Sequence, residues 1–340
     1  MQVDRLAQGR FDWSTGTEAG RRTLRQRLLR LTDFREFMLL LVIFMVAAVL
    51  SLVSETFLTY ANLSATLLGL SVESIVAIGM TILLVSGGFD LSVGAAVALS
   101  GTTTAMALVA GLPVPVAILC GLSVGMLIGC VNGFFVAWIG INPFITTLGM
   151  MSLLRGTLMV VTDGASVAGL PKSFTVIGQG YVMGVQCPIL ICLILVISFD
   201  LLLRYSRFLR QSYYIGGNEK AAILCGIPVP WVKLFNYALT GTLAAVAGIV
   251  LTARMGGASV TAGTGLELRV ITAVVIGGAS LSGGEGTILG AFLGSLLMAL
   301  VLNALTLLGV NPNWNNVVVG ATLLCAVLLD VFSKRLKAGK

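Results

Sequence analysis

The chain has 340 residues, of which 57% are hydrophobic and only 10% charged, with a formal net charge of +7, no histidine and a mean hydropathy of +1.01. This balance excludes a soluble globular domain and defines an all-α, polytopic integral membrane protein. The missing histidine removes imidazole acid–base catalysis and histidine metal ligation, and the positive charge, concentrated in three segments, gives no reason to expect a nucleic acid partner.

In chain order, residues 1–36 are a basic segment too long and too polar to be the n-region of a cleaved signal peptide. Ten apolar runs of membrane-spanning type follow at about 37–54, 63–85, 91–110, 114–138, 143–161, 187–204, 233–253, 267–280, 287–308 and 316–333. The eighth is short and bounded by glycines. Residues 37–333 thus form a single transmembrane domain, with a polar loop at 205–232 and a basic tail at 334–340.

Seventeen of the 21 lysines and arginines fall in three places: eight in residues 1–36, five in 204–233 and four in the tail. With ten spans all three lie on one side, which the positive-inside rule makes cytoplasmic, so both termini are expected there. The loops at 161–187, 254–267 and 309–315 then face outward.

Several local patterns carry chemistry. Gly121, Gly125, Gly129 and Gly133 repeat every fourth residue and place a small-residue stripe on one helix face for close packing. The six cysteines lack metal-ligand spacing and read as small buried hydrophobes, so no metal site is expected. No GxxxxGK[ST] loop is present; if ATP drives the protein, another chain binds it. In the loop 205–232, Gly217, Asn218, Glu219, Lys220, Ala221, Ala222 and Gly226 form a short helix with nothing to span, whose purpose is to touch another protein. Asn218 is placed to cap its start, Gly226 to permit a sharp exit, and Ala221 and Ala222 to let it seat deeply.

Ionisable residues inside spans are costly and are functional candidates by default. They are Glu73, Arg155 and, near a boundary, Asp90. Glu73 and Arg155 fit structural pairing as well as a pathway, and Asp90 fits capping of the third span better than ligand contact. A neutral polyol needs amides and hydroxyls, and Asn132, Asn142, Thr146, Thr147 and Asn303 are the candidates to line a pathway, although interhelical hydrogen bonding explains each equally well. An internal repeat is hinted at by GGFDLS at 87–92 against GGASLS at 277–282, and by GINP at 140–143 against GVNP at 309–312, at unequal spacings.

The segment Ser86-Gly87-Gly88-Phe89-Asp90-Leu91-Ser92-Val93-Gly94 resembles the SGGIDLSVG signature of permease subunits of ribose-type monosaccharide ABC importers, with Phe89 in place of isoleucine. Gly216-Gly217-Asn218 with Ala221-Ala222 and Cys225-Gly226-Ile227 is similar to that family's GGN-x-x-AA-x-x-x-G-I segment. Gly265-Leu266-Glu267-Leu268, the AVVIGG run ending at Gly277-Gly278, and Leu281-Ser282-Gly283-Gly284 match further stretches, as do Asn142-Pro143-Phe144 and Thr147-Leu148-Gly149, so the resemblance covers about residues 60–330.

It implies a helical fold similar to the vitamin B12 importer type. It also implies a second permease subunit, cytoplasmic ATP-binding subunits that hold ATP and Mg, and a periplasmic sugar-binding protein. The segment 217–226 would be the coupling helix to the ATPase, with Lys220 where the broader E-A-A-x-x-x-G pattern has an acid. An ion-coupled transporter or channel, the alternative, calls for more intramembrane carboxylates than this chain carries.

Overall fold

The computed structural model describes residues 34–338; the basic segment before Phe34 and the last two residues of the tail lie outside the described residues. The described chain is built of thirteen α-helices and one two-stranded hairpin. The helices are α1 (Phe34–Val53), α2 (Tyr60–Val85), α3 (Val93–Val109), α4 (Val114–Phe134, continued by a π-helical turn Phe135–Ile139), α5 (Pro143–Thr162), α6 (Lys172–Gln179), α7 (Cys187–Tyr205), α8 (Gln211–Gly217), α9 (Glu219–Leu224), α10 (Val229–Met255), α11 (Leu266–Ile276), α12 (Ile288–Leu307) and α13 (Trp314–Ala338). The hairpin β1–β2 (Tyr181–Val182, Val185–Gln186) leads into α7.

Apolar chain without water must satisfy its backbone internally, and helices do so within one segment. Starts are marked by side-chain caps, with Thr59 accepting from Asn62 N and Thr287 from Gly290 N, or by proline in the first turn, as in α4, α5, α7 and α10. The two longest central helices, α2 and α10, are each followed by a glycine in the left-handed region, Gly87 at φ 79° and Gly256 at φ 67°, which turns the chain sharply back.

Helix α2 is the most enclosed element, buried without a break from Leu70 to Val85, and α10 packs along it and along α3 and α4. The α4–α10 contact is where the four-residue glycine stripe sits. A Cβ at Gly125 would meet the Gly241 carbonyl, and one at Gly133 would lie 2.9 Å from Leu234 Cα. The two backbones therefore touch directly, as the spacing predicts.

Among the described residues eight helices are long and apolar enough to cross a membrane, two fewer than the ten runs in the sequence. The runs at 91–110 and 267–280 are α3 and α11, about 25 and 16 Å long at 1.5 Å per residue, short of a hydrocarbon core of about 30 Å. Both start inside the bundle. The chain leaving α2 folds back until Phe89 O accepts a hydrogen bond, at 3.2 Å, from the Tyr237 hydroxyl, which lies about two turns into α10. The chain leaving α10 likewise folds back through 256–265 until Gly263 and Glu267 touch Gly94 at the start of α3. The amino-terminal ends of two half-length helices thus meet in the interior.

This arrangement reveals the internal repeat. Helices α2–α5 and α10–α13 follow one plan: a long helix, a glycine turn, a half-length helix, a long helix, an Asn-Pro start and a final helix. Contacts correspond under exchange of the two sets: α10 with α4 and α3 matches α2 with α12 and α11, and α3 with α5 matches α11 with α13. The sets run antiparallel. Leu83 packs on Tyr237, Gly79 on Thr240, and Val72 shares a cavity wall with Leu251. GINP and GVNP are therefore equivalent positions. The Gly87-Gly88 pair corresponds instead to Gly256-Gly257, whereas Gly278, at φ 99° two residues after its half-helix, corresponds to Gly111, at φ 87° two residues after α3.

Replacing Gly241 by leucine is expected to destabilise the folded chain by about 1–3 kcal/mol, because the side chain must enter the Gly125 backbone. Thermal unfolding in detergent should show a lowered midpoint, whereas leucine at Gly149, with open space around it, should leave the midpoint unchanged.

Candidate functional site

Three places in the bundle gather the chemistry: the junction of the half-helices, the α8–α9 segment, and a polar cavity.

At the junction, Asp90 is 1% exposed. Its Oδ1 accepts from Ser92 N at 2.7 Å and Ser92 Oγ at 2.6 Å, and its Oδ2 accepts from Asn132 Nδ2 at 3.1 Å; Asn132 Nδ2 also donates to Ser92 Oγ at 3.0 Å. Asp90 lies two residues before the N-cap Ser92, so its carboxylate faces the positive end of the α3 dipole. Glu267 is the second residue of α11 and lies within its first turn. Arg155 of α5 donates to Val260 O at 3.3 Å and Ala262 O at 2.9 Å, and so holds the loop 256–265 in its folded-back path. Asp90, Ser92, Asn132 and Arg155 thus have structural partners.

Of the remaining pathway candidates, Asn142 caps α5 by accepting from Phe144 N at 2.8 Å, and Thr147 donates to Pro143 O at 2.8 Å. Thr146 Oγ1 is buried and without a partner. The structure does not bring these three, or Asn132 and Arg155, to the cavity that Glu73 and Asn303 share.

The α8–α9 segment is a helix–turn–helix. Asn218 Oδ1 accepts from Ala221 N at 3.0 Å, and Gly226 leaves α9 at φ 79°. Ala222 is 3% exposed and packs on Ile215, Val229 and Val232 of its own chain. The deep seat of this alanine is therefore internal, and the outward face carries Lys220, Ala221 and Leu224, the last 89% exposed. Glu219 pairs with Lys233 at 2.7 Å, which leaves Lys220 as the outward charge.

Glycines fasten this segment to the bundle. Gly216 packs against the Val85 carbonyl at the end of α2 and against Gly283 and Gly284, and Gly284 N donates to Val85 O at 2.9 Å. Tyr213 donates its hydroxyl to Gly286 O at 2.7 Å. Burial, and then the neighbouring Asp200 carboxylate, push the Tyr213 phenol up to about 12, so it stays a donor at physiological pH. Gly283 and Gly284 are thus contact points for α8, and Gly277 meets the backbone of Gly290 in the same loop region.

The cavity, of about 480 Å³, lies among α2, α10, α11 and α12. Glu73 and Arg269 line it deeply, Arg254 lines it from the last turn of α10, and Asn62 and Asn303 exchange side-chain hydrogen bonds of 3.2 and 2.7 Å at its wall. Sequence reasoning missed Arg254, Arg269, Asn62, Tyr213 and Leu224. For the two arginines the signal was available, as cations at or inside apolar runs.

An all-α bundle with folded-back half-helices, a polar cavity inside it and an exposed helical segment at one end has the architecture of a membrane transporter. Residues 62–327 match the family described as branched-chain amino acid transport system / permease component, and the chain belongs to it. It is 40% identical over 290 residues to the ribose import permease protein RbsC of Bacillus subtilis, covering 85% of this chain and 90% of that one. It is 38% identical over 281 residues to the L-arabinose transport system permease protein AraH of Escherichia coli, covering 83% and 86%. No solved structure matches.

Substituting Asp90 with alanine leaves two Ser92 donors and one Asn132 donor without their acceptor. It is expected to cost about 1–3 kcal/mol per group left unpaired, with asparagine at Asp90 costing less. In thermal unfolding, Asp90→Ala and Asn132→Ala should be non-additive, because they break one network.

Proposed function

We propose that this chain is the membrane-spanning subunit of an ATP-driven importer for a monosaccharide or related polyol in a bacterial inner membrane. The observation that carries the reading is 40% identity, over 85% of this chain, to a protein whose name states ribose import. The partners are a second permease subunit, ABC ATP-binding subunits holding ATP and Mg, and a periplasmic binding protein. Both termini face the cytoplasm, in keeping with the lysine and arginine distribution.

In this reading α9 is the coupling helix. The ATPase grips the outward face, with Leu224 as the apolar anchor and Lys220 as the charge. Movement of α9 passes through Ala222 to the start of α10, and through Gly216, Gly283 and Gly284 to the end of α2 and the start of α12. These contacts reach three helices of the repeat at one end, so a shift of one short segment acts on both halves.

Reconstituted with its partners in proteoliposomes, the chain should show sugar uptake that requires ATP; uptake that persists without the ATPase subunits and ATP contradicts the reading. Leu224→Asp should reduce ATP-driven uptake by about tenfold or more, as loss of a buried apolar anchor worth about 2 kcal/mol does, while membrane insertion is retained.

A further inference from the structure

The polar cavity carries an assignment that neither the family nor its relatives' names supply. Glu73 is 7% exposed, yet its Oε1 has no hydrogen-bond partner, and Arg269 Nε, also buried, has none either. Both side chains line the same space and no ion pair joins them among the described residues. A structural role would bring the two into contact, since each unpaired charge inside an apolar bundle is expensive. Two buried groups without partners on the lining of one open volume point to a ligand that takes the missing bonds.

The lining identifies the ligand's chemistry. A carboxylate accepts from adjacent hydroxyls, and a guanidinium donates a fixed fork of N–H groups to hydroxyl or ring oxygens. Beside these groups, Leu251, Leu266 and Leu302 provide apolar wall for carbon–hydrogen faces. The volume of about 480 Å³ lies within the range of roughly 300–1,000 Å³ for small-molecule sites. Asn62 and Asn303, whose amides hydrogen-bond each other, close one wall.

We propose that this cavity is a sugar site, in which Glu73 and Arg269 bind the hydroxyls of a neutral monosaccharide in transit. The site adjoins the half-helix junction, because Gly263, which touches the start of α3, and Leu266, the first residue of α11, also line it. Displacement of the loop 256–265 would therefore change the shape of the site. The proposal rests on the sugar-importer reading and adds a location to it.

The test uses the full chain assembled with its ATP-binding subunits and binding protein, with D-ribose, L-arabinose and myo-inositol as probes. Glu73→Gln and Arg269→Gln should each lower ATP-driven uptake at least tenfold while ATP hydrolysis stays within twofold. Thr66→Cys places a thiol on the cavity wall, and its labelling by a membrane-impermeant methanethiosulfonate, read on that peptide, should slow at least fivefold with the transported sugar. That protection should be lost when Glu73→Gln is added.

Where a charge variant fails to fold, protection at Thr66→Cys alone decides. Uptake at the unaltered rate in both charge variants, or labelling indifferent to sugar while uptake proceeds, overturns the site and leaves the importer reading standing. If uptake by the unaltered complex persists without ATP and the ATP-binding subunits, the importer reading falls and the site falls with it.

Discussion

Backbone that leaves a helix inside an apolar bundle has no water to bond with, so a broken helix survives there only where protein groups take up every freed donor and acceptor. Two breaks of this kind meet in this chain, and the rest of the architecture is arranged to tolerate them. Asp90, Ser92 and Asn132 hydrogen-bond one another at one break. Arg155 holds the carbonyls of Val260 and Ala262 at the other. Glycine at 94 and 263 lets the two backbones come together without side chains between them. Because α2 and α10 are both long and antiparallel, each supplies a continuous wall against which the other's returning half-helix can pack.

This constraint links fold to function. A bundle of unbroken helices buries everything and offers no polar opening, whereas half-helices leave space along the remaining length of their long neighbours. The cavity with Glu73, Arg254 and Arg269 occupies such space beside the first turn of α11. At the opposite end of α11, the loop at 281–287 touches α8, so the segment read as the ATPase contact and the element that borders the cavity are separated by one short helix.

Much of this was legible in the sequence where the signal is local. The apolar runs located every long helix to within a few residues, the four-residue glycine spacing identified the α4–α10 seam, and Asn218 and Gly226 marked the ends of α9. Other features depend on tertiary placement. An apolar run does not disclose whether it starts at a membrane surface or midway, so α3 and α11 read as spans, and only the shortness of the eighth run hinted otherwise. The matching glycine pairs differ in their following residues, FDLS after Gly88 and ASVT after Gly257, which drew attention to GGASLS at 277–282 instead. Ala222 read as a contact for a partner because small residues suit any close approach, and nothing local says that Val232 provides it. Glu73 and Arg269 lie almost two hundred residues apart, and no spacing rule connects them.

The central claim is that the segments at 86–92 and 256–265 lie folded back within the bundle. Hydrogen–deuterium exchange of the purified chain in a lipid nanodisc, followed by mass spectrometry of peptides spanning these segments, tests it most directly. The account predicts that their amides exchange as slowly as those of α2 and α10, and far more slowly than the amides of the exposed loop after α5. Exchange of both segments at the rate of that loop would place them at the surface and contradict the account.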